Sequence, residues 1–233
     1  MAATVVYQGA THGMQTTHPC RAIRTGVSSR VPSEQQQQHD RAIIRAVYER
    51  FLPLSEETLS TIFAHMRYVE VPKGQTWMMQ GGPNDHIGLL VSGLMRSVQV
   101  VDGEEHTVYF FDAPGFATEY VGFLRQTPAR CSIVALEDCR MYTWTYHALQ
   151  SMYASSPAGE RLGRLIAEAI FGMAMSDVES FRFDSATERY KNLLARSPDL
   201  AQRVPQYMIA SYLGVTPESL SRIRAKRARG ARD

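Results

Sequence analysis

Near the C-terminus, Ser221 and Arg222 lie three and four residues after Glu218 within the stretch Thr216-Pro217-Glu218-Ser219-Leu220-Ser221-Arg222-Ile223-Arg224. On a helix that spacing places them, with Ala225, on one face, while Leu220 and Ile223 point the other way. A carboxylate acceptor beside a forked guanidinium donor is suited to hydrogen bonding with base edges in a major groove. Arg224, Lys226, Arg227, Arg229 and Arg232 come at or beyond the helix end, where cations meet phosphates. The residues expected to touch DNA are Thr216, Glu218, Ser221, Arg222, Arg224, Lys226 and Arg227.

Those side chains need a helix held close to a supporting one. Gln206 to Leu213 reads as a helix with Met208, Ile209 and Leu213 apolar, and Gly214 can adopt the left-handed conformation that ends it. Thr216 then caps a new helix with Pro217 at its first position, where the missing N–H costs nothing. Two helices joined by so short a turn make a helix-turn-helix. An ordinary helical hairpin with a solvated basic tail would show some of the same features. The capped second helix, the tight turn and the segregation of charge favour DNA.

The charge is indeed unevenly spread. The 233 residues carry a formal net charge of +2, but from Ser185 onward the chain is at about +6 and before it at about −4. Hydrophobic residues make up 44% of the chain, enough to bury a core. Cys20, Cys131 and Cys139 are too few and too scattered for a disulfide framework or a four-thiolate metal site. No apolar run approaches a membrane span, and the first thirty residues lack the apolar core of a secretory signal. A soluble, cytoplasmic protein is expected.

Residues 1–40 are rich in Thr, Ser, Gln and His, include the run Gln35 to Gln38, and read as a disordered leader. A helical pattern begins at Arg41 with Ile43, Ile44 and Val47, and a second starts at Ser55, carrying Leu59, Ile62, Phe63 and Met66. Between Val69 and Trp144 the period becomes that of strands, in apolar runs broken by Gly, Pro, Asn and Asp. This predicts a small antiparallel barrel or jelly roll, so that 41–156 form one domain. Residues 157–183 return to a helical pattern of roughly seven turns. Leu162, Leu165, Ile166, Ala169 and Met173 lie on its stripe, which is too long for the barrel to cover, and a second copy of the helix is the expected partner. Residues 184–233 complete the chain as a small helical domain. The fold class is therefore α+β: an antiparallel β-roll of jelly-roll type, a long dimerisation helix and a helix-turn-helix.

A β-roll, a long helix and a C-terminal helix-turn-helix in this order resemble the Crp/Fnr family of bacterial transcription regulators over residues 41 to about 228. VPKGQTWMMQGGPNDHIGLLVSGLMRSV resembles the opening hairpins of the family's roll, ALEDC its last strand, and IASYLGVTPESLSRIR its DNA reader. The resemblance implies that Glu218 and Arg222 contact bases. The family usually has an Arg just before that Glu, whereas this chain has Pro217, which leaves the operator sequence open. The chain also stops after a basic tail where many members add a two-stranded wing, so it resembles the wingless branch. The implied partners are double-stranded DNA, a second copy of the chain, RNA polymerase and a small-molecule effector. No cofactor and no membrane are implied.

In cyclic-nucleotide members of that family, a Gly-Glu pair opens a short phosphate-binding helix and an Arg follows ten residues after the Glu. Here the segment is FATEYVGFLRQTPARCS, which makes Glu119 and Arg130 the candidate effector-binding residues. Thr118 replaces the Gly, and Arg130 comes eleven residues after Glu119. A slip of one residue on a strand turns a side chain to the opposite face. The expected effector is therefore not cyclic AMP; a cyclic-nucleotide-responsive regulator using Glu119 and Arg130 is the alternative.

Other chemistries find less support. An iron-sulfur sensor needs four clustered cysteines. A haem sensor needs an axial ligand, and His65, His86, His106 and His147 are each isolated. Cys131 and Cys139 read as buried small hydrophobes. A cupin-like metal enzyme would show paired His ligands, whereas His106 has only Glu104 and Glu105 beside it. A regulatory subunit of a partner enzyme would have no use for a helix-turn-helix. No nucleophile and base stand together, and the chain is read as a non-enzyme.

Overall fold

The computed structural model describes residues 31–230 of the chain. Helix α1 (Glu34–Glu49) and helix α2 (Glu56–Ala64) come first. The strands follow: β1 (Arg67–Val71), β2 (Thr76–Met78), β3 (His86–Ser92), β4 (Leu94–Val101), β5 (Glu104–Asp112) and β6 (Gly115–Ala117). The short helix α3 (Tyr120–Arg125) precedes β7 (Ser132–Ala135) and β8 (Cys139–Thr145). Helices α4 (Tyr146–Ser155), α5 (Pro157–Phe183), α6 (Ala186–Arg196), α7 (Leu200–Arg203), α8 (Gln206–Leu213) and α9 (Pro217–Gly230) complete the chain.

The strands form two four-stranded antiparallel sheets, β1-β8-β3-β6 and β2-β7-β4-β5. This is the β-roll expected from the sequence. Met78, Leu90, Met95, Ile133, Ala135, Cys139 and Met141 fill the space between the sheets. On the opposite face of β3 and β8, Ile87, Leu89, Val91, Tyr142 and Trp144 pack against Ile44, Val47, Leu59, Ile62 and Leu162 of the helices. Both faces of β3 are thus covered, which is why its sequence is a continuous apolar run rather than an alternating one. Gly88 sits where a Cβ would run into Met141 and the Trp77 ring, so the roll closes tightly there.

A third core joins the roll to the C-terminal helices. Leu94, Phe110 and Leu136 on the outer face of the second sheet meet Tyr190, Leu193, Leu200, Val204, Ile209, Leu213 and Leu220 of the C-terminal helices. The helical domain is therefore docked on the roll by apolar contact.

Two sequence expectations need correction. Helix α1 begins at Glu34, inside the stretch read as leader. The Ser33 hydroxyl accepts the Gln36 N–H at 3.2 Å, and Gln36 Nε2 donates to the buried carboxylate of Asp40 at 2.8 Å. A cap and a glutamine run, good helix formers without an apolar stripe, sustain a helix that hydrophobic periodicity does not signal. Residues 1–30 of the expected leader lie outside the described residues. The second correction concerns Leu162. It is 1% exposed, fully buried in its own core, and is not available to a partner copy. The first turns of α5 face the roll and α4, where Gly163 lies flush against the Tyr153 ring.

Candidate nucleic-acid interface

The turn between α8 and α9 has the geometry its residues call for. Gly214 takes φ 66°, its N–H reaches Ser211 O, and the Val215 N–H bonds back to Ala210 O at 3.0 Å. This is the six-to-one closure of a left-handed helix end. Two residues later the Thr216 hydroxyl accepts the Ser219 N–H at 3.2 Å, and Pro217 occupies the first helical position. Leu220 is fully buried and Ile223 half-buried against the third core, so α9 has only one way to lie.

That orientation leaves Thr216, Glu218, Ser221, Arg222, Arg224, Lys226 and Arg227 exposed together. Arg222 Nη2 rests 3.3 Å from the Ser219 hydroxyl, close to the acidic first turn. The Glu218 carboxyl is held below its ordinary value, first by its own backbone N–H and then by the Thr216 hydroxyl, so it is a pure acceptor near neutral pH. Glu218, Ser221 and Arg222 lie on the face the sequence assigned them.

Arg189 and Arg196 fix this pair of helices to the rest of the chain; the sequence reading counted both only as charge. Arg189 donates to Asp184 O, in the turn between α5 and α6, and to Leu213 O at the C-terminal end of α8, each at 2.8 Å. Its guanidinium also lies 4.8 Å from the Phe181 ring centroid. Arg196 bonds Asp177 of α5 at 2.9 Å and the Tyr212 hydroxyl of α8 at 2.7 Å. Positive charge at the end of α8 satisfies the Leu213 carbonyl that its last turn leaves free.

Along α5 the apolar stripe separates into two parts. Ile166 is half-buried beside the helical core, and Leu165 and Ala169 are also half-buried. Met173 is 51% exposed, with Phe171, Met175 and Val178 exposed near it. The large side chains without cover therefore begin about two turns later than the stripe read from the sequence.

In the candidate effector segment, Glu119 is turned into its own chain. Its side chain caps α3 by accepting the Gly122 N–H at 3.2 Å, and it also takes Asn84 Nδ2 at 3.0 Å and the Arg130 N–H at 3.4 Å. Gly122 is needed because a Cβ there would collide with Glu119 and Asn84. The part of Arg130 that meets Glu119 is its backbone; the residue itself is exposed. Thr118 Oγ1 and Asn84 Oδ1 are buried beside this cap without protein partners.

The remaining candidates stand apart. His65 bonds Thr61 O at 2.8 Å and His86 bonds Asp85 at 2.6 Å, while His106 and His147 are exposed. Cys131 and Cys139 are buried, and burial pushes the Cys139 thiol up to about 11. Among the described residues no group of three or more His, Cys, Asp and Glu could hold a metal ion, and no helix is long and apolar enough to cross a membrane.

No curated protein matches the chain in sequence. The solved structure of FixK2 from Bradyrhizobium japonicum superposes with a TM-score of 0.59 at 18% identity, covering 71% of this chain and 86% of that one. CLP from Xanthomonas campestris, described as a c-di-GMP responsive global regulator, gives 0.58 at 18% identity over 76% of this chain and 93% of its own. A putative cyclic nucleotide binding protein from Ruegeria pomeroyi gives 0.58 at 21% identity, covering 82% and 87%. These proteins share the fold. Residues 68–156, the roll with α3 and α4, match the family described as Cyclic nucleotide-binding domain.

Proposed function

We propose that the chain is a sequence-specific DNA-binding transcription regulator of the Crp/Fnr type, which binds a two-fold symmetric operator as a dimer. The observation that carries this reading is the exposed face of α9, where Glu218, Ser221 and Arg222 stand clear of the protein beyond the Gly214 turn. Glu218 and Arg222 read base edges, and Arg224, Lys226 and Arg227 hold phosphates. Two copies pair through α5 on Leu165, Ile166, Ala169 and the exposed Met173, so that two readers meet half-sites one helical turn apart. The effector is not cyclic AMP, because the Glu119 carboxylate is already engaged by N–H groups of its own chain. The chain acts by binding and is not an enzyme.

A cyclic-nucleotide response is the second reading, and the family match over residues 68–156 favours it. On that reading Arg130 clamps the phosphate. Selecting bound DNA from a random duplex library with the purified protein tests the main proposal: enrichment of a palindromic sequence is expected, and recovery without any sequence preference would overturn it.

A further inference from the structure

Arg203 of α7 makes a set of contacts that the DNA reading does not use. Its Nε and Nη2 donate to the two oxygens of Glu137, each at 2.8 Å, in a fork-to-fork pair. Its Nη1 donates to Asp112 at 2.8 Å and to Asp199 on its own side at 3.2 Å. Asp112 ends β5, and Glu137 lies in the turn between β7 and β8. The chain between these two carboxylates comprises β6, α3 and β7, and includes Glu119 and Arg130. One guanidinium from the helical domain thus holds both ends of the effector segment.

The contact is directional and asymmetric. A bidentate Arg–carboxylate pair sets an orientation as well as an attraction. Without Arg203, three carboxylates (Asp112, Glu137 and Asp199) would face one another, so attraction would turn to repulsion. Further along β5, the third apolar core and the hydrogen bond from the Thr107 N–H to the Ser211 hydroxyl, 2.9 Å, complete the seat of the helical domain.

We propose that Arg203 is an interdomain clasp that couples segment 113–136 to the DNA-reading helices. With both carboxylates held, the helical domain stays seated on β5. When the segment rearranges, Asp112 and Glu137 no longer match the guanidinium fork, and the domain is released. This goes beyond the DNA-binding proposal, and its test uses no DNA, so either can fail without the other.

Hydrogen exchange of the full chain reads the seat directly. In Arg203→Met, segments 104–112 and 206–213 should exchange roughly tenfold faster while 86–92, in the middle of the other sheet, stays as in wild type. Wild-type exchange in both segments would overturn the clasp. Should Arg203→Met fail to fold, the double variant Asp112→Asn, Glu137→Gln keeps the arginine, removes the two charges it pairs with, and is read in the same way. Coupling is tested by Glu119→Ala, which removes the cap of α3. It should speed exchange at 206–213 in the wild-type background and add nothing in Arg203→Met. No acceleration in the wild-type background, or equal acceleration in both, would sink the coupling.

Discussion

The hydroxyl of Ser211, on α8, accepts the backbone N–H of Thr107 on the edge strand of the roll at 2.9 Å. An edge strand has N–H groups that no neighbouring strand takes up, and a part-buried one needs a partner. Ser211→Ala leaves this donor unsatisfied and should cost about 1–2 kcal/mol in urea unfolding. Ser221→Ala, on the exposed face of α9, is the control and should change stability by less than about 0.5 kcal/mol. Equal effects for the two would mean that the seat on β5 is not held by this bond.

Arg222→Ala should cost about 1–3 kcal/mol in binding the selected operator and relax one base position in each half-site. Lys226→Ala or Arg227→Ala should weaken all sequences alike and flatten the salt dependence by about one unit of slope each. Binding isotherms at several salt concentrations separate these behaviours. Full operator affinity in Arg222→Ala would remove that residue from the reader.

The turn between α8 and α9 and the start of α9 were legible in the sequence because their signals are local. Thr216-Pro217 and Ser156-Pro157 each start a helix with a hydroxyl cap and a proline, and Gly214 ends one at φ 66°. The start of α5, the end of α8 and the start of α9 follow from such signals. What could not be read depends on which face of an element meets which neighbour. Leu162 belongs to the same stripe as Leu165, yet two turns of α5 are already taken up by the roll. Arg203 and Glu137 lie 66 residues apart, and nothing near either residue announces the other. Glu119 reads in the sequence as a candidate effector-binding residue, whereas its carboxylate is taken up by the local Gly122 N–H and by Asn84, 35 residues away, a partner that nothing near Glu119 announces.

The two parts of the α5 stripe should respond differently to mutation. Met173→Glu places a charge on an exposed apolar surface and should leave a folded monomer that loses specific DNA binding. Leu162→Ala opens a cavity in the protomer's own core and should cost about 2–5 kcal/mol in stability without favouring monomers. Sedimentation and urea unfolding of both variants check this. A wild-type chain that is monomeric at micromolar concentration would rule out the α5 pairing.

The clasp should also depend on pH. The hydrogen bonds from Arg203 hold the Glu137 carboxyl below its ordinary value. The folded form therefore favours the ionised carboxylate. Its contribution is fully present above the unfolded value of about 4.3 and is lost as the pH falls through the lower folded value. The stability difference between wild type and Glu137→Gln, measured by urea unfolding from pH 6 downward, should be largest near pH 6 and shrink below about pH 4. A difference independent of pH would show that the ionised pair contributes nothing.

The effector reading can be tested at Glu119 and Arg130. A cyclic phosphodiester carries a full negative charge, and removing it from water is costly unless a fixed cation and several N–H groups replace that water. In this chain the Gly122 and Arg130 N–H groups already point at the Glu119 carboxylate, which would repel a second anion. A carboxylate that takes bonds from Gly122, Arg130 and Asn84 also has little capacity left for a ribose hydroxyl. Cyclic AMP and cyclic GMP should therefore bind weakly or not at all in titration calorimetry, and the dimer should bind its operator without them. Arg130→Ala should leave operator affinity unchanged, since the part of Arg130 that contacts Glu119 is the backbone. A micromolar dissociation constant for either nucleotide that disappears in Arg130→Ala would show instead that Glu119 releases its cap to admit the ligand and that Arg130 clamps the phosphate.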